Sequence, residues 1–293
     1  MSFTNPQHLV STAWLAEHLA DPALRVLDCT VFLRAPGPEA ARQAYVQESG
    51  RAAWAAGHIP GSAFADLTTD LSDPEARLPF TMPSAERFAA AMSALGVGPG
   101  TRVVTYDANL SMWAARVWWM LRAMGFDDAA VLDGGWKKWA GEGRPVSAEP
   151  ARYPAAAFVA RPRPGLIASK DDVLAAIGEG GTCIVNALTE AQHTGASGAT
   201  YGRAGHIASS VNVSARDLLD RESGAYLPPD VLRERFAAAG ATAAGRVITY
   251  CGGGIAATSD ALVLTLLGQE NVAVYDGSLS EWARDPALPM ETA

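Results

Sequence analysis

The feature that most constrains this chain is that it repeats itself at about half its length. Residues 102–146 (RVVTYDANLSMWAARVWWMLRAMGFDDAAVLDGGWKKWAGEGRPV) run in step with residues 246–290 (RVITYCGGGIAATSDALVLTLLGQENVAVYDGSLSEWARDPALPM). Four of five residues coincide at 102–106 and 246–250, and Trp139 and Trp282 each follow the aspartate of an Asp-Gly pair by six residues. Upstream, Gly57-His58-Ile59 is answered by Gly205-His206-Ile207. The first pair is offset by 144 residues and the second by 148. Solenoid repeats recur every ~20–50 residues, so an offset this long means duplication of a whole domain. A chain of 293 residues is long enough for two such cores.

Between the copies, residues 148–165 carry four prolines and little apolar periodicity, the pattern of an extended, stiff linker. This divides the chain into a domain over 1–147, a linker over 148–165 and a domain over 166–293. Within each copy a short β-branched run, Val103-Val104-Thr105-Tyr106 or Val247-Ile248-Thr249-Tyr250, reads as a buried parallel strand. A helical stretch follows, with Trp113, Val117, Met120, Leu121 and Met124 at spacings of three and four, or Leu262, Leu266 and Leu267. Another strand, Ala130-Val131-Leu132 or Val272-Ala273-Val274-Tyr275, then ends in Asp-Gly. Alternation at this spacing predicts an α/β fold: two tandem domains, each a parallel sheet with helices on both faces.

Charge and cysteine usage narrow the chemistry. With 49% hydrophobic and 18% charged residues the chain is globular rather than disordered. Its net charge of −8 repels phosphate backbones and anionic membrane surfaces, so neither nucleic acid nor membrane is an expected partner. No apolar run approaches the ~18 residues of a membrane span, and the first 20 residues lack the basic-then-apolar layout of a secretory signal. The three cysteines, Cys29, Cys183 and Cys251, form no CxxC or Cys/His cluster, so no metal is expected. Their small, odd number points to the reducing cytoplasm.

In parallel sheets ligands gather beyond the carboxyl ends of strands. At that place in the second copy stands Cys251, followed by Gly252, Gly253, Gly254, Ile255, Ala256 and Ala257. Glycines let successive N–H groups turn inward, and a helix start adds further donors with partial positive charge. Such a loop forms an anion nest around a sulfur and favours its nucleophilic thiolate. Cys29 and Cys183, in apolar strand-like runs without a glycine nest, read as structural. The first copy has Asp107-Ala108-Asn109 at the loop position and so has no thiol there.

Together these residues resemble the tandem-domain rhodanese sulfurtransferases over nearly the whole chain. The resemblance is carried by Gly-His-Ile in both halves, Ala115-Arg116-Val117-Trp118-Trp119, Asp276-Gly277-Ser278 with Glu281-Trp282, and the Cys-Gly-rich loop. It implies a loop from Cys251 to Ala256 cradling a persulfide, an inert first domain, an active site between the domains, and no cofactor. A donor such as thiosulfate or 3-mercaptopyruvate would give its outer sulfur to Cys251, and a thiophilic acceptor, cyanide or a thiol such as that of a thioredoxin-like protein, would remove it. The N–H groups from Gly252 to Ala257 would stabilise the persulfide.

The chain also departs from the family. Thiosulfate-specific members place Arg and Lys after the cysteine, where this chain has Gly252 and Gly253. Mercaptopyruvate-specific members place Ser or Thr at the Gly253 position, in a relay with an Asp and a His of the first domain. The Asp position falls near Thr68 here, and the segment before Leu78-Pro79 offers Arg77 but no histidine. The family's donor-binding arginine aligns with Gln192, and Arg203 is the substitute anchor expected for the donor. His58 and His206, present in both copies, are expected to make structural hydrogen bonds. His193 reads as a solvent-exposed loop histidine, with a group switchable near neutral pH as the alternative, and Asp133 and Asp276 read as turn or cap residues. Two other readings of the loop remain: a sulfur-relay module loaded by a partner protein, and a rhodanese-like phosphatase. The latter needs Cys-x5-Arg, whereas the sixth residue after Cys251 is Ala257.

Overall fold

The computed structural model describes residues 2–34 and 45–292. They fall into two compact units: residues 7–34 and 45–162 with 221–225, and residues 2–6 with 163–220 and 226–292.

The first unit runs β1 (Leu9–Val10), α1 (Thr12–His18), β2 (Leu24–Asp28), β3 (Val31–Arg34), β4 (Val46–Ser49), α2 (Arg51–Ala56), β5 (Ser62–Phe64), α3 (Ala85–Ala94), β6 (Arg102–Tyr106), α4 (Met112–Ala123), β7 (Ala129–Leu132) and α5 (Gly135–Gly141). The second runs β8 (Ile167–Ala168), α6 (Lys170–Ala176), β9 (Thr182–Asn186), α7 (Glu190–His193), β10 (His206–Ile207), β11 (Val211–Asn212), α8 (Pro229–Ala238), β12 (Arg246–Tyr250), α9 (Ala256–Leu266), β13 (Val272–Tyr275), α10 (Ser278–Trp282) and β14 (Met290–Glu291).

Each unit holds a five-stranded parallel sheet, ordered β1-β7-β6-β2-β5 in the first and β8-β13-β12-β9-β11 in the second. The identical order shows that the sequence repeat is a repeat of topology. The central strands β6 and β12 are buried at four consecutive positions each, as strands covered on both faces are. The helix after each central strand packs on that strand and its neighbour: α4 on β6 and β7, α9 on β12 and β13.

Local chemistry sets where helices begin. Ser11 and Ser84 accept the Trp14 and Arg87 N–H groups at the starts of α1 and α3, and Ser169 with Asp172 forms a reciprocal capping box on α6. The helices differ in how they read. Every residue of α9 from Ala257 to Leu266 is buried, so its leucines mark no apolar stripe; the helix is apolar all round because it lies in the core.

The proline-rich stretch expected as a linker is docked on the first unit as far as Pro162. Phe158 is buried against Phe88 and Phe126, the Ala156 N–H donates to Ser93 O, and the Arg161 N–H donates to Met124 O. Extended chain is stiff here because its backbone groups pair with the domain it leaves. No helix among the described residues is long and apolar enough to cross a membrane.

Candidate active site

Cys251 follows the last residue of β12, the central strand of the second sheet, and is buried. Two sets of bonds shape the loop after it. The first residues of α10 donate to its carbonyls: Leu279 N–H to Cys251 O (3.1 Å) and Ser280 N–H to Gly252 O (2.8 Å). The Ser278 hydroxyl, fully buried, donates to Tyr275 O (2.8 Å) and accepts from the N–H groups of Cys251 and Gly254 (3.1 Å each). The start of α10 thus holds two carbonyls and two amides of the loop. Among the described residues the N–H groups of Gly252, Gly253, Ile255, Ala256 and Ala257 donate no hydrogen bond, the last two as the unpaired start of α9. Gly253 and Ala256 are partly exposed, so the nest opens there.

The three glycines serve three different needs. Gly254 has φ of +74°, a left-handed conformation that a side chain would strain. Gly252 lies against Tyr201: a Cβ there would overlap the ring at Cζ, Cε1 and the hydroxyl oxygen. Gly253 has room, because a Cβ would meet only Ser280 Oγ at 3.8 Å. The glycine at 252 is therefore required by packing.

The first copy provides an internal control. Asp107 stands where Cys251 stands, and the Trp136 N–H donates to its carbonyl (3.0 Å) as Leu279 does to that of Cys251. The Asp107 carboxylate accepts four backbone N–H groups of its own loop and helix: Asn109 (2.7 Å), Ser111 (3.2 Å), Trp113 (3.0 Å) and Ala114 (2.9 Å). Burial pushes the Asp107 pKa up, against the pull of these donors. Where the second copy has Ser278 the first has Gly135, so the first loop is held by the Asp107 carboxylate and not by a hydroxyl from the following helix. One copy of the nest is filled by a built-in anion; in the other a thiol stands at the same place.

The remaining expected residues lie as follows. Gln192 Oε1 accepts the Thr189 N–H and hydroxyl, completing a capping box on α7. Arg203 donates to the carbonyls of Ala283 (3.2 Å), Trp282 (3.3 Å) and Asp285 (2.7 Å), at the end of α10 away from Cys251. Its guanidinium is thus committed to a helix terminus, where a cation pairs with unpaired carbonyls. In the first copy Thr68 bonds Asp66 (2.6 Å) and lines a cavity of about 420 Å³ with Ser72, Phe80 and Arg87. His58 places its two ring nitrogens at Trp54 O and Glu149 O, and His206 places Nδ1 at His193 O, as structural hydrogen bonds do.

His193 corrects the expectation of an exposed loop histidine. It is half-buried, stacked on His206 at 3.7 Å, with Nδ1 3.1 Å from the Asn186 amide nitrogen. Burial pushes its pKa down to about 4, helped by His206 and opposed by Glu291. The folded protein therefore holds it neutral between about pH 4 and its unfolded value near 6.5. Stability from this site is full above that window and is lost as pH falls through it. NMR should show the His193 ring resonances flat from pH 8 to 5; a titration midpoint near neutrality would contradict the assignment.

The Asn186 amide lies beside the Tyr250 hydroxyl, which bonds Ser210 (2.8 Å) and accepts the Ile207 N–H (3.0 Å), fixing the strand end from which Cys251 projects. The motif Asp276-Gly277-Ser278 was visible in the sequence, but the role of Ser278 as bolt of the loop was not, and Tyr201 carried no signal at all.

The chain matches the Rhodanese-like domain model over residues 11–142 and again over 169–285. It is 34% identical to the thiosulfate sulfurtransferase of Rattus norvegicus, covering 97% of this chain and 94% of the rat protein. It is 33% identical to the 3-mercaptopyruvate sulfurtransferase of Escherichia coli strain K12, covering 96% and 97%. The crystal structure of SseA from Escherichia coli, a 3-mercaptopyruvate enzyme with the rhodanese fold, superimposes with a TM-score of 0.79 at 30% identity, over 92% of this chain and 98% of SseA. Two matched domains, one topology repeated, and full-length relatives at a third identity place the chain in the rhodanese family, as a protein with two rhodanese-like domains in tandem.

Proposed function

We propose that the protein is a sulfurtransferase working by double displacement through Cys251. The thiolate attacks the outer sulfur of a small donor, thiosulfate or 3-mercaptopyruvate, and holds it as a persulfide. A thiophilic acceptor, cyanide or a thiol such as that of a thioredoxin-like protein, then removes it and restores the thiolate. The N–H groups of Gly252, Gly253, Ile255, Ala256 and Ala257 supply the stabilisation, charge-assisted bonds to sulfur being roughly twice as strong as neutral ones. The observation that carries this reading is the pairing of Asp107 with Cys251: the same loop that closes four N–H groups on a carboxylate in one copy leaves the matching N–H groups of Gly253, Ile255 and Ala257 unclaimed beside a thiol in the other.

It follows that residues 166–293 carry the reaction and residues 1–147 do not, since the nest of the first domain is already filled. All three cysteines are unpaired thiols, which suits a cytoplasmic enzyme.

Mass spectrometry tests the reading. Incubation with either donor should add one sulfur atom to the Cys251 peptide, and cyanide should remove it. If neither donor loads Cys251 but the persulfide of a cysteine desulfurase does, the protein is a relay rather than an enzyme acting on small donors.

A further inference from the structure

We propose that Asp260 holds a proton for the site: buried one turn into α9, it stays a neutral carboxylic acid so that the negative charge of the loop rests on Cys251, and losing that proton at alkaline pH closes the loop to anionic donors. The inference rests on the reading of Cys251 as the nucleophile and adds a regulation to it.

The placement leaves the carboxyl without support. Asp260 is fully buried, and neither of its carboxyl oxygens has a hydrogen-bond partner among the described residues. It is the only Asp, Glu, Lys or Arg between Cys251 and Leu267. The Ser259 hydroxyl, next in the chain, is unpartnered too, but adjacent helix residues do not face each other. The elements that pack most closely on α9 are β12, β13 and the short 3-10 turn Ala215–Leu218. Their titratable and charged groups are engaged elsewhere. Arg246 lies 3.9 Å from Asp172, the hydroxyls of Tyr250 and Tyr275 bond Ser210 and Glu281, and Arg216 and Asp217 are exposed. With no cation or donor at hand, an ionised carboxylate here would lose its hydration uncompensated, and burial alone pushes the Asp260 pKa up.

The first copy shows what this position carries beside a built-in anion. Arg116 stands there on α4, fully buried, its guanidinium donating to Phe80 O (2.8 Å). That copy has opposite charges at the two matched places, Asp107 and Arg116, whereas the second has two acids, Cys251 and Asp260. Two acids in one core titrate as a coupled pair, and the first charge forms where donors await it. At Cys251 these are the unclaimed N–H groups of the nest; at Asp260 there are none. Distance sets the size of the effect. Asp260 is four residues past Ala256, and so about 6 Å along the axis from the helix start that belongs to the nest. A second charge roughly 10 Å from a bound anion, at an effective dielectric constant of about 20, opposes it on the order of tenfold. Once the carboxyl has given its proton to solvent, the carboxylate repels either donor, since thiosulfate and 3-mercaptopyruvate are both anions.

Two alkylating probes of Cys251 test this, the anion iodoacetate and the neutral iodoacetamide, with adducts followed on the Cys251 peptide by mass spectrometry. The ratio of their rates reads the charge around the sulfur and cancels the thiolate fraction. In the wild type that ratio should fall on the order of tenfold between about pH 7 and about pH 10. In Asp260→Asn and Asp260→Val, which cannot ionise there, it should stay level. Infrared spectra of protein carrying carbon-13 at its aspartate carboxyls report the protonation state directly. At neutral pH the wild type should show a carboxylic acid band that both variants lack, and that band should fade in step with the ratio. A wild type without the band, a ratio that holds throughout the alkaline range, or an equal fall in all three proteins overturns the proposal. If the ratio behaves as expected but neither donor loads a sulfur on Cys251, the persulfide reading fails while the charge relation between Asp260 and Cys251 stands.

Discussion

Replacing Cys251 with serine is expected to lower sulfur transfer from either donor by roughly a thousandfold or more, the scale seen when a covalent nucleophile is removed. The size follows from the proposed mechanism, in which every turnover passes through a bond to this one sulfur, whereas a hydroxyl holds no transferable sulfur. The fold should survive, because serine is smaller than cysteine and the Cys251 N–H keeps its bond to Ser278. Cys29 and Cys183 provide the contrast. Cys29 is fully buried with its pKa pushed well up by burial, and Cys183 is half-buried with its pKa also raised by burial. Serine at either should leave the persulfide adduct in place. Initial rates with both substrates varied should give parallel double-reciprocal lines in the wild type, and intersecting lines would mean that donor and acceptor meet on the enzyme without a covalent intermediate.

The parts of this site that were legible in the sequence are those set by nearby residues. The strand, the thiol at its tip and the glycines before a helix lie within a dozen positions, and duplication doubled the signal. What was not legible depends on residues far apart in the chain. Ser278 and Tyr201 reach the loop from 27 and 50 positions away, by way of α10 and the turn after it, and no local pattern announces either. Some signals were present and read otherwise. Thr189-Glu190-Ala191-Gln192 is the S/T-x-x-E/Q signature of a capping box, so its glutamine serves the start of α7. Arg203 was expected to meet an anionic donor because cations do; it meets carbonyls at a helix end for the same reason. Asp107 followed by Asn109 and a helix start is the pattern of an aspartate bonding nearby backbone amides, and noticing it would have shown that the nest in the first copy is filled rather than missing.

Removing that internal anion should be the most damaging single change to the first domain. Asp107→Ala strips four N–H groups, three of them in buried bonds, of their acceptor at once. A cost of about 3–5 kcal/mol is expected, which for a domain of this size lowers the thermal midpoint by roughly 10 °C. Asp107→Asn keeps one acceptor oxygen and should fall between. The arrangement also makes a more specific demand. If the loop is an anion site by construction, a small carboxylate such as formate should raise the midpoint of Asp107→Ala in a concentration-dependent way and leave the wild type alone, because binding to the folded state alone is what stabilises it. An Asp107→Ala protein as stable as the wild type, or one indifferent to formate, would mean that the fold does not build an anion-binding turn at this place, and the matching turn around Cys251 would lose the strongest argument for its chemistry.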